Sequence, residues 1–239
     1  MLVATQGIVF SYTKYSENSV IVKIFTRDFG LQTFFLRGLG KKNNKQLRSC
    51  LQPLSMVEVE FVNQPNKNLM TLKTIKNQTP FIDIPLNIFK SSIVFFLAEI
   101  LSKTIKEEEP NQQLFYFISN SLIDLDNKTN GYANFHLFFL AQLVEKLGFQ
   151  PHLETYKDNS YFNLQEGVFM QQPSIICLNT NESELFYKLF SLPENQTFNF
   201  KITSVERKKL ISALLDYFSC HIQNLSNLKT REVLEEIFS

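Results

Sequence analysis

The residues of this 239-residue chain best suited to binding chemistry are cations. Arg37 to Pro53 reads RGLGKKNNKQLRSCLQP and carries Arg37, Lys41, Lys42, Lys45 and Arg48 without one acid. The acid-free interval extends from Phe29 to Val57. Lys23, in the apolar run SVIVKIFT, is a sixth candidate. Cations that meet phosphates release counterions, so a cluster of them suits a polyanion. Lysine predominates, which fits diffuse contact with a charged backbone better than bidentate reading of bases. A solvated loop that meets nothing would have the same composition. Phe34, Phe35 and Tyr12 are nearby aromatics that could stack on unpaired bases, with apolar core as the alternative for each Phe.

No other pattern points to catalysis. The chain lacks G-x-x-x-x-G-K-[ST], G-x-G-x-x-G, G-x-S-x-G and H-E-x-x-H. His136, His152 and His221 are dispersed. Cys220 and His221 are neighbours on an expected helix, where their side chains point about 100° apart, so a core Cys beside a surface or capped His is the better reading than a dyad. Asp124 and Asp126 fall at a helix end and read as a solvated cap. No set of carboxylates is spaced for a metal-dependent nuclease. The expectation is therefore a protein that is not an enzyme. Cys50, Cys177 and Cys220 are odd in number and far apart, which argues against a disulfide framework and fits a reducing cytoplasm. No apolar run approaches the roughly 20 residues of a membrane span, and the N-terminus lacks the basic stretch of a signal peptide.

The elements that must position these cations are legible in the periodicity. Residues 1–80 hold 11 Lys and Arg against 4 Asp and Glu, a net +7, while residues 81–239 sum to −6. The first part reads as strands: ATQGIVFSY, SVIVKIFT, LQTFFLRG, SMVEVEFV and MTLKTIK are β-branched or aromatic runs separated by turn-forming residues, with a tight turn at Asp28 to Gly30. Five short strands in about 80 residues suit a small closed barrel of the OB type, with the basic segment linking the third and fourth. Residues 81–239 read as helices, with a T-x-x-E capping box at Thr203 and Glu206, a helix-ending Gly148, and a small hairpin turning near Gln165–Gly167. The fold class is thus α+β, with a barrel domain at 1–80, a helical domain at 81–239 and a hairpin insert at about 153–177.

The order of short motifs resembles the RecO family of bacterial recombination mediators. GIVFSYTKYSENSVIVKIFTRDFGLQTFFLRGLGKKN…LQPLSMVEVEF places Gly7, Tyr15, Glu17, Phe25, Thr26, Gly30, Gly38, Leu51, Gln52 and Pro53 where that family's opening motifs stand. EKLGFQPHLE (Glu145–Glu154) and LKTREVL (Leu228–Leu234) resemble two further signatures, so the likeness spans the chain. The resemblance implies an N-terminal OB barrel, a helical domain and a zinc-finger-like insert. It also implies binding to single- and double-stranded DNA, annealing of complementary strands, and work with RecR and the C-terminal tail of single-stranded DNA-binding protein (SSB), so that RecA loads during gap repair. Such a protein works in the cytoplasm, at the nucleoid.

The chain departs from the family twice. Where many members carry paired C-x-x-C, it has LETYKDNSYFNLQEGVFMQQP, with Tyr156 and Asn159 at the first pair, so no zinc and no other cofactor is expected. Phe138 to Leu140 replace a polar or charged pair. An acidic tail ending in an apolar residue needs an apolar pocket with a cation at its mouth. Leu140, Leu143 and Leu147 with Lys146 are one candidate set, and Arg207 and Lys208 a rival cluster; a face of α-helical core is the alternative. An RNA-binding OB protein and an adaptor with a basic loop are the readings from other classes.

Overall fold

The structure, a computed structural model, describes residues 1–39, 45–64, 67–106, 109–193, 200–223, 225 and 228–237. The chain forms two compact units, Met1–Asn127 and Lys128–Ser239. No helix among the described residues is long and apolar enough to cross a membrane.

In the first unit the β-branched runs form β1 (Leu2–Ser16), β2 (Ser19–Thr26), β3 (Gly30–Arg37), β4 (Met56–Val62) and β5 (Met70–Thr79). They close into a barrel in the order β1-β2-β3-β5-β4, and β4 pairs back onto β1. The β3–β5 seam is parallel and the others antiparallel. This is the expected OB barrel. β1 is longer than its apolar run because it serves two seams: Leu2–Ile8 pair with β4, and Gly7–Ser16 with β2. Irregularities between Val9 and Ser11 and between Lys14 and Ser16 bend it around the barrel. Gly7 sits where both seams meet, opposite Thr26 and Val57. A Cβ there would lie 2.5 Å from Ile24 Cγ2, so close packing demands glycine.

Alternate residues fill the interior: Val20, Val22 and Ile24 of β2, Phe34 and Leu36 of β3, Val57, Val59 and Phe61 of β4. The Phe34 and Phe61 rings meet edge to face at 4.9 Å. Each such side chain contributes roughly 1.5–3 kcal/mol by leaving water. The segment between β3 and β4 is not all loop. Lys45–Cys50 forms the short helix α1, and Cys50 and Leu51 enter the barrel core.

The helices α2 (Ile88–Thr104) and α3 (Gln112–Asn127) belong to the same unit. Asn87 caps α2 by accepting from the Phe89 and Lys90 amides at 3.1 and 3.3 Å. The turn before it is held by α3. The Asp126 carboxylate accepts from the backbone N–H groups of Ile82, Asp83 and Ile84 at 2.8, 2.9 and 2.7 Å. Lys90, fully buried, donates to the Asp126 carbonyl at 2.8 Å and pairs with Asp83 at 2.7 Å. Asp126 is thus no solvated cap: it ties the barrel's exit to the end of α3. The change of periodicity near residue 80 marks where strands stop, whereas the compact unit closes only at Asn127.

The second unit holds α4 (Phe135–Lys146), α5 (Thr180–Ser191), α6 (Ser204–His221), α7 (Lys229–Ile237) and a hairpin of β6 (Tyr161–Asn163) and β7 (Val168–Met170). The expected capping box is present, with the Thr203 amide donating to Glu206 at 2.7 Å and the Glu206 amide to Thr203 Oγ1 at 3.2 Å. Gly148 takes φ +83 just past α4. Tyr217 centres the core: Phe162 and Phe149 lie 5.3 and 5.7 Å from its ring, and its hydroxyl donates to the Phe149 carbonyl at 2.5 Å.

Two polar groups, one half-buried and one buried, give expected outcomes. Asp126→Ala leaves three amides without their acceptor and lowers the unfolding free energy by about 2–3 kcal/mol in denaturant titrations, whereas Asp124→Ala, exposed on the same helix, changes it little. His136 is completely buried, and that burial, with the Arg207 charge, lowers its pKa from 6.5 to about 3. Its folded-state pKa lies below the unfolded value, so its contribution is complete above pH 6.5 and is lost as pH falls towards 3. Between those limits parent stability should drop by about 1.4 kcal/mol per pH unit relative to His136→Leu, in denaturant titrations at successive pH values.

Candidate nucleic-acid interface

Strand alternation decides what the barrel offers outward. On β2, Val20, Val22 and Ile24 turn in, which leaves Ile21 and Lys23 outside. On β3, Phe34 and Leu36 turn in, which leaves Thr33, Phe35 and Arg37 outside. The register sets Lys23 beside Thr33 and Ser11, Ile21 beside Phe35 and Thr13, and Ser19 beside Arg37. Lys23 and Arg37 therefore share one sheet face, and both are exposed. Lys45 and Arg48 are exposed on α1, whose Cys50 faces the core. Lys41 and Lys42 lie outside the described residues.

Arg27 is not free to join them. It pairs with Asp28 at 3.0 Å, and this guanidinium bond, assisted by the Thr5 hydroxyl at 2.7 Å, holds the Asp28 carboxyl below its ordinary range.

The aromatics separate by the same alternation. Phe34 is fully buried in the barrel and offers no ring to a ligand. Phe35 faces outward, with the Arg37 guanidinium carbon 5.2 Å from its ring centre. Tyr15, absent from the sequence candidates, meets Phe35 edge-on at 5.6 Å. Its signal was its place in the register: an aromatic near the end of β1, beside the β1–β2 turn. Tyr12 is half exposed but shares the side of Val22, its register partner, and lines a cavity with Phe10, Leu51 and Phe95.

In the second unit, the face proposed for an acidic tail is largely interior. Leu140 and Leu143 are fully buried and Leu147 is half-buried. Arg207 is half-buried and donates to Asn134 at 2.8 Å. Lys146 and Lys208 are at the surface, Lys146 at 3.6 Å from Glu145. A cavity of about 370 Å³ opens on the other side of α4, between Phe138, Gln142, Pro151 and Phe190, with Glu145 and Glu154 in its wall. Two carboxylates there disfavour an acidic occupant.

The hairpin does not fit zinc. Tyr156 stacks on Tyr187 at 3.8 Å with the planes 8° apart and meets Phe169 edge-on at 5.2 Å. Phe162 packs on Phe169 and Phe186 at 4.7 and 4.5 Å. Asn159 occupies a left-handed turn at φ +59. Among the described residues no three His, Cys, Asp or Glu side chains are grouped to hold a metal. Rings stand where a tetrahedral site would need thiolates or imidazoles.

A closed OB barrel followed by an α-helical region defines the class of protein. The family models for the N-terminal and C-terminal parts of recombination protein O match residues 1–81 and 85–232. The DNA repair protein RecO of Flavobacterium psychrophilum is 37% identical over 241 residues, covering all of both chains. Those of Flavobacterium johnsoniae and Bacteroides fragilis are 37% and 32% identical, again over the full length of each. The chain belongs to the RecO family.

If ring packing holds the hairpin, Tyr187→Ala should lower the unfolding free energy by about 2–4 kcal/mol in denaturant titrations. A chelator should leave the melting temperature of tag-free parent protein unchanged, and elemental analysis should find zinc well below one per chain.

Proposed function

We propose that this protein is a non-enzymatic recombination mediator that binds and anneals single-stranded DNA and, with RecR, helps RecA load onto SSB-coated DNA in gap repair. The observation that carries the reading is the pair of exposed cations, Lys23 and Arg37, on the outer face of an OB barrel in a chain of the RecO family. Lys45 and Arg48 on α1 extend the set, and Lys41 and Lys42 precede that helix in sequence. Contacts of this kind neutralise phosphates and leave base edges free. That is the requirement for annealing, since two strands must lose their repulsion while their bases remain able to pair. No covalent step is involved, and work on DNA in the cytoplasm is work at the nucleoid. Capture of an acidic SSB tail would begin at the surface cations of the second unit, Lys146 and Lys208.

Replacing Lys41, Lys42, Lys45 and Arg48 together by Ala should weaken DNA binding about equally for all sequences. The slope of log affinity against log salt should fall by up to ~0.7 for each phosphate that is no longer neutralised on a single strand. The measurement is a titration with single-stranded DNA, duplex DNA and RNA at several salt concentrations. An unchanged slope and affinity would remove these four cations from the interface, and a clear preference for RNA would move the protein to another class of ligand.

A further inference from the structure

We infer that the outer face of β1–β3 carries a stacking platform for unpaired bases, formed by Tyr15 and Phe35 with Arg37 laid against Phe35. The inference rests on the DNA-binding reading above and adds the source of a preference for single strands.

The rings are where a closed barrel has no use for them. Phe34 and Leu36 supply the interior from β3, and Phe35 between them is turned out by the pleat. Tyr15 keeps 67% of its surface exposed, although its ring touches Phe35 at 5.6 Å with the planes at 87°. Arg37 lies 5.2 Å from the Phe35 ring centre, a cation–π distance, so the aromatic pair and a phosphate-seeking charge form one cluster. Lys23 adds a second cation to the same face. The other register positions there, Ser11, Thr13, Ile21 and Thr33, include no acid. An exposed Tyr15 ring beside a half-buried, outward-facing Phe35, flanked by cations, is complementary to a strand that presents both π-faces and phosphates.

A duplex presents only the second of these. Its bases are stacked on one another, so Lys23 and Arg37 can meet its phosphates while Tyr15 and Phe35 find no free base face. On a single strand both sets engage. Affinity for any DNA thus comes from the charges, and discrimination for unpaired bases comes from the rings.

The test compares parent, Tyr15→Ala, Tyr15→Phe and Phe35→Leu proteins for binding to an oligothymidine and to a duplex of the same length, across a salt series. Melting curves report whether each variant keeps its fold. Losing one stack costs about 1–3 kcal/mol, so Tyr15→Ala and Phe35→Leu should bind the single strand about 5- to 150-fold more weakly. Their duplex affinity and salt slope should be unchanged, because every phosphate-binding cation is still present. Tyr15→Phe, which keeps the ring, should bind like the parent. Single-strand affinity unaltered in both ring variants, or an equal loss on duplex, overturns the platform while parent binding to DNA stands. A parent protein that binds neither DNA overturns the platform and the DNA-binding reading together.

Discussion

The first unit depends on one strand pairing twice. β1 must give one set of backbone bonds to β2 and another to β4, and the two sets overlap at Gly7 and Ile8. Closure there removes the free edges that an open sheet would expose. It also leaves β3 and β5 to meet in parallel at the far seam. The cost of such closure is crowding at the shared point, where only a residue without a side chain clears Ile24. Once the barrel is shut, inside and outside are assigned for every strand residue.

That assignment separates stability from binding on neighbouring positions. Phe34 fills the core and Phe35 does not; Ile24 fills it and Lys23 does not. Each apolar side chain turned in supports the scaffold, and each cation or ring turned out is held in place by a strand rather than a flexible loop. The Asp126 carboxylate performs the corresponding task at the barrel's exit, where three consecutive amides of a turn would otherwise lack partners. Lys90 balances the local charge from within the helix layer, paired with Asp83 and bonded to the Asp126 carbonyl.

The second unit solves a different problem. A hairpin of two three-residue strands cannot hold itself together in water. Here Tyr156, Tyr187, Phe162, Phe169 and Phe186 enclose the hairpin in rings, and Tyr217 joins it to α6 and to the chain after α4. The high phenylalanine count of the chain has a local meaning here: buried rings hold a hairpin too short to stand alone.

Local patterns were enough to read much of this. Alternation and turn residues marked five strands and the tight turn before Gly30, the Thr203–Glu206 spacing marked the start of α6, and the acid-free interval marked where cations gather. These signals are short-range, and each is carried by residues a few positions apart. What required the tertiary structure was every property set by a distant partner. Alternation alone cannot say which of Phe34 and Phe35 faces the core, because shifting the inward set by one residue reverses every side chain; only pairing with β2 and β5 settles it. Tyr15 gained significance from a ring 20 residues away in sequence, and Asp126 from a turn more than 40 residues before it. Leu140 and Leu143 have the same apolar character in a pocket wall as in a core, and the helices packed around them place them in the core.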